Sequence, residues 1–469
     1  MKRNSIFFSL LLMLSVGFGQ VTFSVPQLTC EYNKNPFGIE TLQPRLSWII
    51  QSNTNNTNQS AYQILVADSK EKLQQNQGNI WDSKKVNSSQ SIQVIYNGLT
   101  LQSAKKYYWK VKIWNGRNIA SSWSNIGFWQ MGLLVQKDWS DAKWITMNVF
   151  NEANYPSIDS AVKVAALRSI SPQFRKDFIV KKAIKNATAF VCGLGQFEMS
   201  LNGKKVSDHF LDPGWTTYEK YSLYVPFDIT NQLVKGTNTI GIILGNGFYY
   251  LPKGRYIKGQ IMQHGLPKII AKILVEYKDG TSQIIVSDES WKNAKSPITY
   301  NTIYGGEDYN ATLEQAGWDK PGFIDTSWKK SVAVKGSPVL KAQQAAPLKV
   351  MESFKPIAIF QNKKGGWVYD LGQNASGIVS LTVKGFCGKL VKVFPAELID
   401  PDSSVNQSAT GKGYCFSYTL KGDNRESWQP RFSYYGFRYV QLEGAVPEGK
   451  ANPQSLPIVT VLIGLHTRN

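Results

Sequence analysis

Histidine is almost absent from this chain, and with it go most metal sites and imidazole proton relays. The three present, His209, His264 and His466, lie far apart with no partner at metal-ligand spacing. Surface histidines are the plainer reading. Cysteine is nearly as scarce: Cys30, Cys192, Cys387 and Cys415 are too few to scaffold 469 residues with disulfides. Cys387 and Cys415 fall in one expected domain and could pair in an oxidising compartment, with buried thiols as the equal alternative. There is no Gly-x-Ser-x-Gly turn and no glycine-rich phosphate loop. The long amphipathic helical patterns that a helical catalytic barrel requires are also missing. Negative charge is under-represented, with 33 Asp and Glu against 53 Lys and Arg, a formal net charge of +20. The basic residues are scattered among expected strands rather than clustered, which argues against nucleic acid as a partner. An acidic polysaccharide, a cell surface or simple solvation fits such a surface.

Only one apolar run stands out. Met1-Lys2-Arg3 followed by the run from Ile6 to Phe18 and the small residues Gly17 and Gly19 reads as a signal peptide, 1–19, cleaved after Gly19. A spanning helix needs ~20 apolar residues, more than this run supplies. The expectation is an exported protein, periplasmic or extracellular, with no membrane span in its mature form.

What fills the rest is strand signal. Tyr107-Tyr108-Trp109-Lys110-Val111-Lys112-Ile113-Trp114 alternates so that Tyr107, Trp109, Val111 and Ile113 face a core while Lys110 and Lys112 face water. Short strands with turns every ~8–12 residues predict a fibronectin type III-like sandwich over 22–136. A larger jelly roll is expected over 138–343, where Asn202-Gly203 suits a tight hairpin. A third sandwich follows over 346–469. The fold class expected is all-β throughout.

Paired carboxylates are the first catalytic chemistry to test, because glycosidases hold two of them ~5–9.5 Å apart. Glu307-Asp308, Glu397 with Asp400 and Asp402, and Asp212 with Asp228 qualify by count alone. Neighbours on a strand point to opposite faces, however, and Asp400-Pro401-Asp402-Ser403-Ser404 reads as a solvated turn. Sugar binding has better grounds, since sugars take an aromatic face against their C–H side and amides or carboxylates on their hydroxyls. Asn202, Asp212, Trp215 and Asn246 supply those types on expected loops. The alternative is that Trp215 is core and the two asparagines merely turn the chain.

These residues resemble a family. Phe174-Arg175-Lys176-Asp177-Phe178, Leu201-Asn202-Gly203, Asp212-Pro213-Gly214-Trp215-Thr216 and Leu244-Gly245-Asn246-Gly247 look like the N-terminal domain of bacterial α-L-rhamnosidases. Ile303-Tyr304-Gly305-Gly306-Glu307-Asp308 and Gly317-Trp318-Asp319 continue the match. Asp370-Leu371-Gly372-Gln373-Asn374, Pro395-Ala396-Glu397-Leu398 and Tyr434-Tyr435-Gly436-Phe437-Arg438 resemble the concanavalin-like domain that comes next, although Tyr435 stands where the family frequently has His. The resemblance implies a glycoside hydrolase that acts with inversion on rhamnose-containing polysaccharide. Its acid and base would lie in a helical barrel with no counterpart positions here, so no catalytic residue is carried over. It implies no required cofactor and allows a calcium ion in the jelly roll. Three readings follow: a truncated or split enzyme partnered by a separately encoded barrel, a free-standing binding protein for rhamnosyl glycans, or a complete hydrolase with a carboxylate pair in a β cleft.

Overall fold

The computed structural model describes residues 23–252, 264–410 and 413–469, so the expected signal peptide lies outside the described residues. Strand dominates. Among the described residues the α-helices are two short ones, Lys70–Gln74 and Ile158–Lys163, and no helix is long and apolar enough to cross a membrane. The chain divides into two compact units, 1–131 and 132–469.

The first unit is an antiparallel sandwich. One sheet joins Phe23–Cys30, Arg45–Ser52 and Val94–Ile95; the other is built on Gln59–Ala67, Lys106–Asn115 and Gly127–Gln130. Tyr107, Trp109, Val111 and Ile113 are buried as their alternation requires. Lys110 is not on the wet face. It is 5% exposed, and its Nζ donates to the Leu73 carbonyl and, at 2.6 Å, to Asn76 Oδ1. The Lys70–Gln74 helix covers that face and presents C-terminal carbonyls, which attract a cation. The Trp123 ring, 4.8 Å from the ammonium, completes the site.

In the second unit the jelly roll comprises two sheets. One runs in the order Lys204–Lys205, Gln196–Leu201, Gly236–Gly245, Pro172–Val180, Lys292–Lys295. The facing sheet is centred on Lys268–Tyr277 and Ile184–Leu194. Phe174, Val191, Ile242, Leu244, Ile273 and Trp291 fill the space between them. Asn202 and Gly203, at φ 54° and 81°, close the two-residue hairpin on which Leu201 pairs with Lys204.

Arg175 fastens a long loop onto this roll. Its side chain is 2% exposed; Nη2 lies 2.7 Å from Asp177 and Nη1 bonds Asp325, while Nε donates to the Trp318 carbonyl at 2.9 Å. The guanidinium also sits over the Phe323 ring. Lysine offers one point charge in place of this fork. Arg175→Lys should therefore cost about 2 kcal/mol, seen as a lower denaturant midpoint with an unchanged slope.

The third sandwich is one large curled sheet wound about Trp367–Lys384, which pairs with Tyr435–Glu443 and Ile458–Arg468. Three of its strands come from the segment expected to belong to the jelly roll alone. His209–Phe210 adds to Leu348–Phe354 at one end; at the other, Gly306–Asn310 runs parallel to Phe416–Thr419 and carries Ile298–Thr302 outside it. Ile298 and Tyr309 accordingly pack in the core of the third sandwich. Gly306 permits the close pairing, because at φ 92° a Cβ there would lie 1.9 Å from the Cys415 carbonyl oxygen. Cys387 and Cys415 are both free thiols rather than a pair, and of the two only Cys415 is buried as the alternative expected, Cys387 being exposed.

Candidate functional site

The four sugar-binding candidates separate into two kinds. Asn202 spends its amide inside the hairpin: Nδ2 donates to Asn238 Oδ1 at 2.9 Å and to the Gln232 carbonyl, and Oδ1 accepts the Thr239 N–H. Asn246 is 1% exposed. Its N–H donates to Asn301 Oδ1 and its Nδ2 to the Asn301 carbonyl, both at 2.7 Å. These bonds tie both asparagines into the chain, and burial closes Asn246 off from outside.

Asp212 and Trp215 are placed differently. The turn that carries them is clamped by Gln343, whose Oε1 accepts the Gly214 N–H at 2.8 Å and whose Nε2 donates to Asp212 Oδ1 at 3.3 Å. Asp212 Oδ2 lies 2.7 Å from His209 Nδ1, a pair that brings in a histidine expected only as surface. Trp215 is 63% exposed. A ring of that size is not left in water by packing demands, and it stacks on Phe248 with centroids 5.4 Å apart and planes 28° apart. Phe248 in turn meets Tyr304 edge to face at 6.2 Å. The three rings form an aromatic edge above a small apolar cluster of Phe210, Leu211, Leu251, Ile303 and Ile378. Asn246 serves this edge indirectly, since its two bonds to Asn301 tie the Phe248 loop to the strand that leads to Tyr304. Phe248 directly follows the Leu244-Gly245-Asn246-Gly247 motif, but nothing local in the sequence pairs it with Trp215.

Calcium does not fit at this edge. The ion takes 6–8 oxygen ligands, whereas Asp212 has one oxygen against an imidazole and the other against an amide. Among the described residues, no group of three His, Cys, Asp or Glu side chains is placed to hold a metal ion.

The carboxylates expected as acid and base mostly cap turns or pair with lysines. Asp228 accepts from Thr230, Asp400 from Asn406, and Asp402 pairs with Lys364 at 2.9 Å. Glu397 is exposed, and Asp308 accepts from Ser417 on the face opposite Glu307. Glu307 is the exception. It is fully buried, Oε2 accepts the N–H groups of Arg431 and Phe432 at 3.0 Å, and Oε1 has no partner among the described residues. Burial pushes its carboxyl up to about 7, against the opposing pull of Arg431 and the two N–H groups. Arg431 also binds Glu198 at 3.2 Å, and Lys205 reaches Glu198 at 2.8 Å. Burial pushes the Glu198 carboxyl up, but the two cations outweigh it and hold it below the ordinary value. One raised and one lowered carboxyl is the pattern of an acid and its partner. Here the raised one is sealed from any substrate, so the constellation is not a hydrolytic pair.

The chain matches three family models along its length: a Rha78A-like N-terminal immunoglobulin domain over 25–135, the α-L-rhamnosidase N-terminal domain over 182–352, and the bacterial α-L-rhamnosidase concanavalin-like domain over 360–462. The chain belongs to the bacterial α-L-rhamnosidase family. Among its rhamnosidase relatives, one from Formosa agariphila is 37% identical across 95% of this chain and 49% of the relative, and one from an Alteromonas species is 31% identical across 87% and 44%. The solved α-L-rhamnosidase of Dictyoglumus thermophilum superposes with a TM-score of 0.81 at 34% identity, covering 95% of this chain and 48% of that one. That of Streptomyces avermitilis, complexed with L-rhamnose, superposes at 0.83 and 25% identity, covering 96% and 57%. The chain thus spans about half the length of the curated rhamnosidases it matches.

Proposed function

We propose that this chain supplies the glycan-recognising β domains of an exported α-L-rhamnosidase that acts on rhamnose-containing polysaccharide, and that it grips sugar at the aromatic edge of the jelly roll. In this reading, hydrolysis belongs to a helical barrel and orientation of the substrate to these sandwiches. One observation carries the sugar-binding part: Trp215 keeps most of its ring in water while Phe248 and the clamped Asp212 turn hold it in place. An exposed, immobilised ring can stack on the C–H face of a pyranose with little ordering cost. The complex of the Streptomyces relative with L-rhamnose makes that sugar the first probe.

Titration calorimetry with L-rhamnose and a rhamnose-rich pectic fragment should show binding in the millimolar range, roughly −4 kcal/mol. Trp215→Ala should weaken it by roughly tenfold, the loss of about 1–1.5 kcal/mol of stacking. The melting temperature should hold, because so exposed a ring contributes little to the core. Equal binding by the variant would remove the edge from the proposal. The same titration in EDTA should be unaltered.

A further inference from the structure

A second opening in the molecule lies where the jelly roll meets the third sandwich, and it shares no residue with the Trp215 edge. Glu198 and Lys205 come from the first sheet of the jelly roll, Tyr309 from the strand it lends to the third sandwich, and Trp428, Gln429 and Arg431 from the third sandwich itself. The cleft has a volume of about 330 Å³, at the small end of the usual range for ligand pockets and enough for one or two sugar rings.

Two donors in its lining have no acceptor among the described residues. Trp428 is 6% exposed and its Nε1–H bonds nothing; Arg431 Nη1 is shielded from solvent and equally unpartnered, although Nε of the same guanidinium holds Glu198. Buried donors are nearly always satisfied, and each one left unmade costs about 1–3 kcal/mol. Two in one cleft call for a ligand with acceptors. The acceptors and further donors around them, Glu198, Ser380, Ser427 and Gln429, suit a ligand that both gives and takes hydrogen bonds. Charge narrows the class. Lys205 and Arg431 balance Glu198 and Glu314 in the lining, and Glu314 is already held by the Tyr309 hydroxyl and Lys421, both at 2.9 Å. A balanced wall gives no net pull on a phosphate or a uronate, while hydroxyl groups meet every requirement.

We infer that this cleft is a second glycan site, which takes a neutral, hydroxyl-rich sugar unit through hydrogen bonds from Trp428 Nε1 and Arg431 Nη1. The inference rests on the glycan-recognising reading but not on its aromatic edge, so the two can fail separately.

The experiment uses the full chain carrying Trp215→Ala, which silences the edge, and titrates it with methyl α-L-rhamnoside, methyl β-D-galactoside and D-galacturonate. At least one neutral glycoside should bind in the millimolar range, and Trp428→Phe, which keeps a ring but deletes the donor, should weaken it roughly tenfold. The Trp428 indole N–H resonance should shift on titration of the parent. If Trp428→Phe does not fold, Gln429→Ala, on an exposed residue, should produce the same loss. Binding unchanged in the variant, no binding of either neutral glycoside, or a preference for D-galacturonate would each overturn the inference and leave a water-filled cleft or an anion site. Failure of Trp215→Ala to alter any binding in the wild-type chain would instead count against the edge alone.

Discussion

Expressed by itself, the chain from Gln20 to Asn469 is expected to leave an aryl α-L-rhamnoside uncleaved, at the rate of a buffer blank. Glycoside hydrolysis needs a protonated carboxyl at the leaving oxygen and a second carboxylate across the sugar, ~5–9.5 Å away. Among the carboxyls near Arg431, Glu307 has the raised affinity for a proton that an acid needs. It has no surface in contact with solvent and its one accepting oxygen is committed to two backbone N–H groups. Glu198 is ionised between two cations, and Glu314 is occupied by a phenol and a lysine. A base so neutralised is a weak one. Orientation of a substrate without an acid and base leaves the barrier nearly untouched. Turnover in the common enzyme range of ~1–1000 s⁻¹, abolished by Glu198→Gln or Glu314→Gln, would instead make the cleft an active site and the chain a complete hydrolase.

The second large effect concerns stability. Burial raises the Glu307 carboxyl from its ordinary 4.5 to about 7 in the folded protein. Below pH ~4 both folded and unfolded states hold the proton, and the residue costs nothing extra. Between these values the unfolded chain releases its proton while the folded one keeps it, so stability falls as pH rises, and the loss is complete above the folded value. At 1.36 kcal/mol per unit the deficit is about 3 kcal/mol. Glu307→Gln keeps the oxygen that receives Arg431 and Phe432 and cannot ionise. Its denaturant midpoint should match the parent within error near pH 4 and exceed it at pH 8, by an amount worth about 3 kcal/mol. Parallel pH profiles for the two proteins would show that Glu307 does not titrate in this window.

Much of the architecture was readable because strand alternation is local. The buried series from Tyr107 to Ile113 and the hairpin at Asn202-Gly203 follow from residues within ten positions of one another. Lys110 broke the pattern because a helix some 40 residues earlier covers its face, which alternation cannot register. At the site, Trp215 could be nominated by type and setting. Asn202 and Asn246 were nominated on the same ground, but the carbonyls that hold their amide nitrogens lie 30 to 55 positions away. The Glu307–Arg431 contact spans 124 residues, and no short motif announces it. Local chemistry proposes candidates; distant pairing decides which of them remain available.

The strands that the jelly-roll segment gives to the third sandwich bear on how such a molecule is made and inherited. Asp308 and Ser417, neighbours across that sheet, are 109 residues apart in the chain. At ~5–20 residues per second on a ribosome, Gly306–Asn310 waits roughly 5–20 s with one edge unpaired, a period in which a chaperone or the finished jelly roll must shield it. The same arrangement constrains recombination. A crossover near residue 345 would hand one descendant a roll with three orphaned strands and the other a sheet stripped at both ends. The two sandwiches are therefore expected to travel through genomes as a single heritable block, while the first unit, whose sheets contain only its own strands, can be gained or lost on its own.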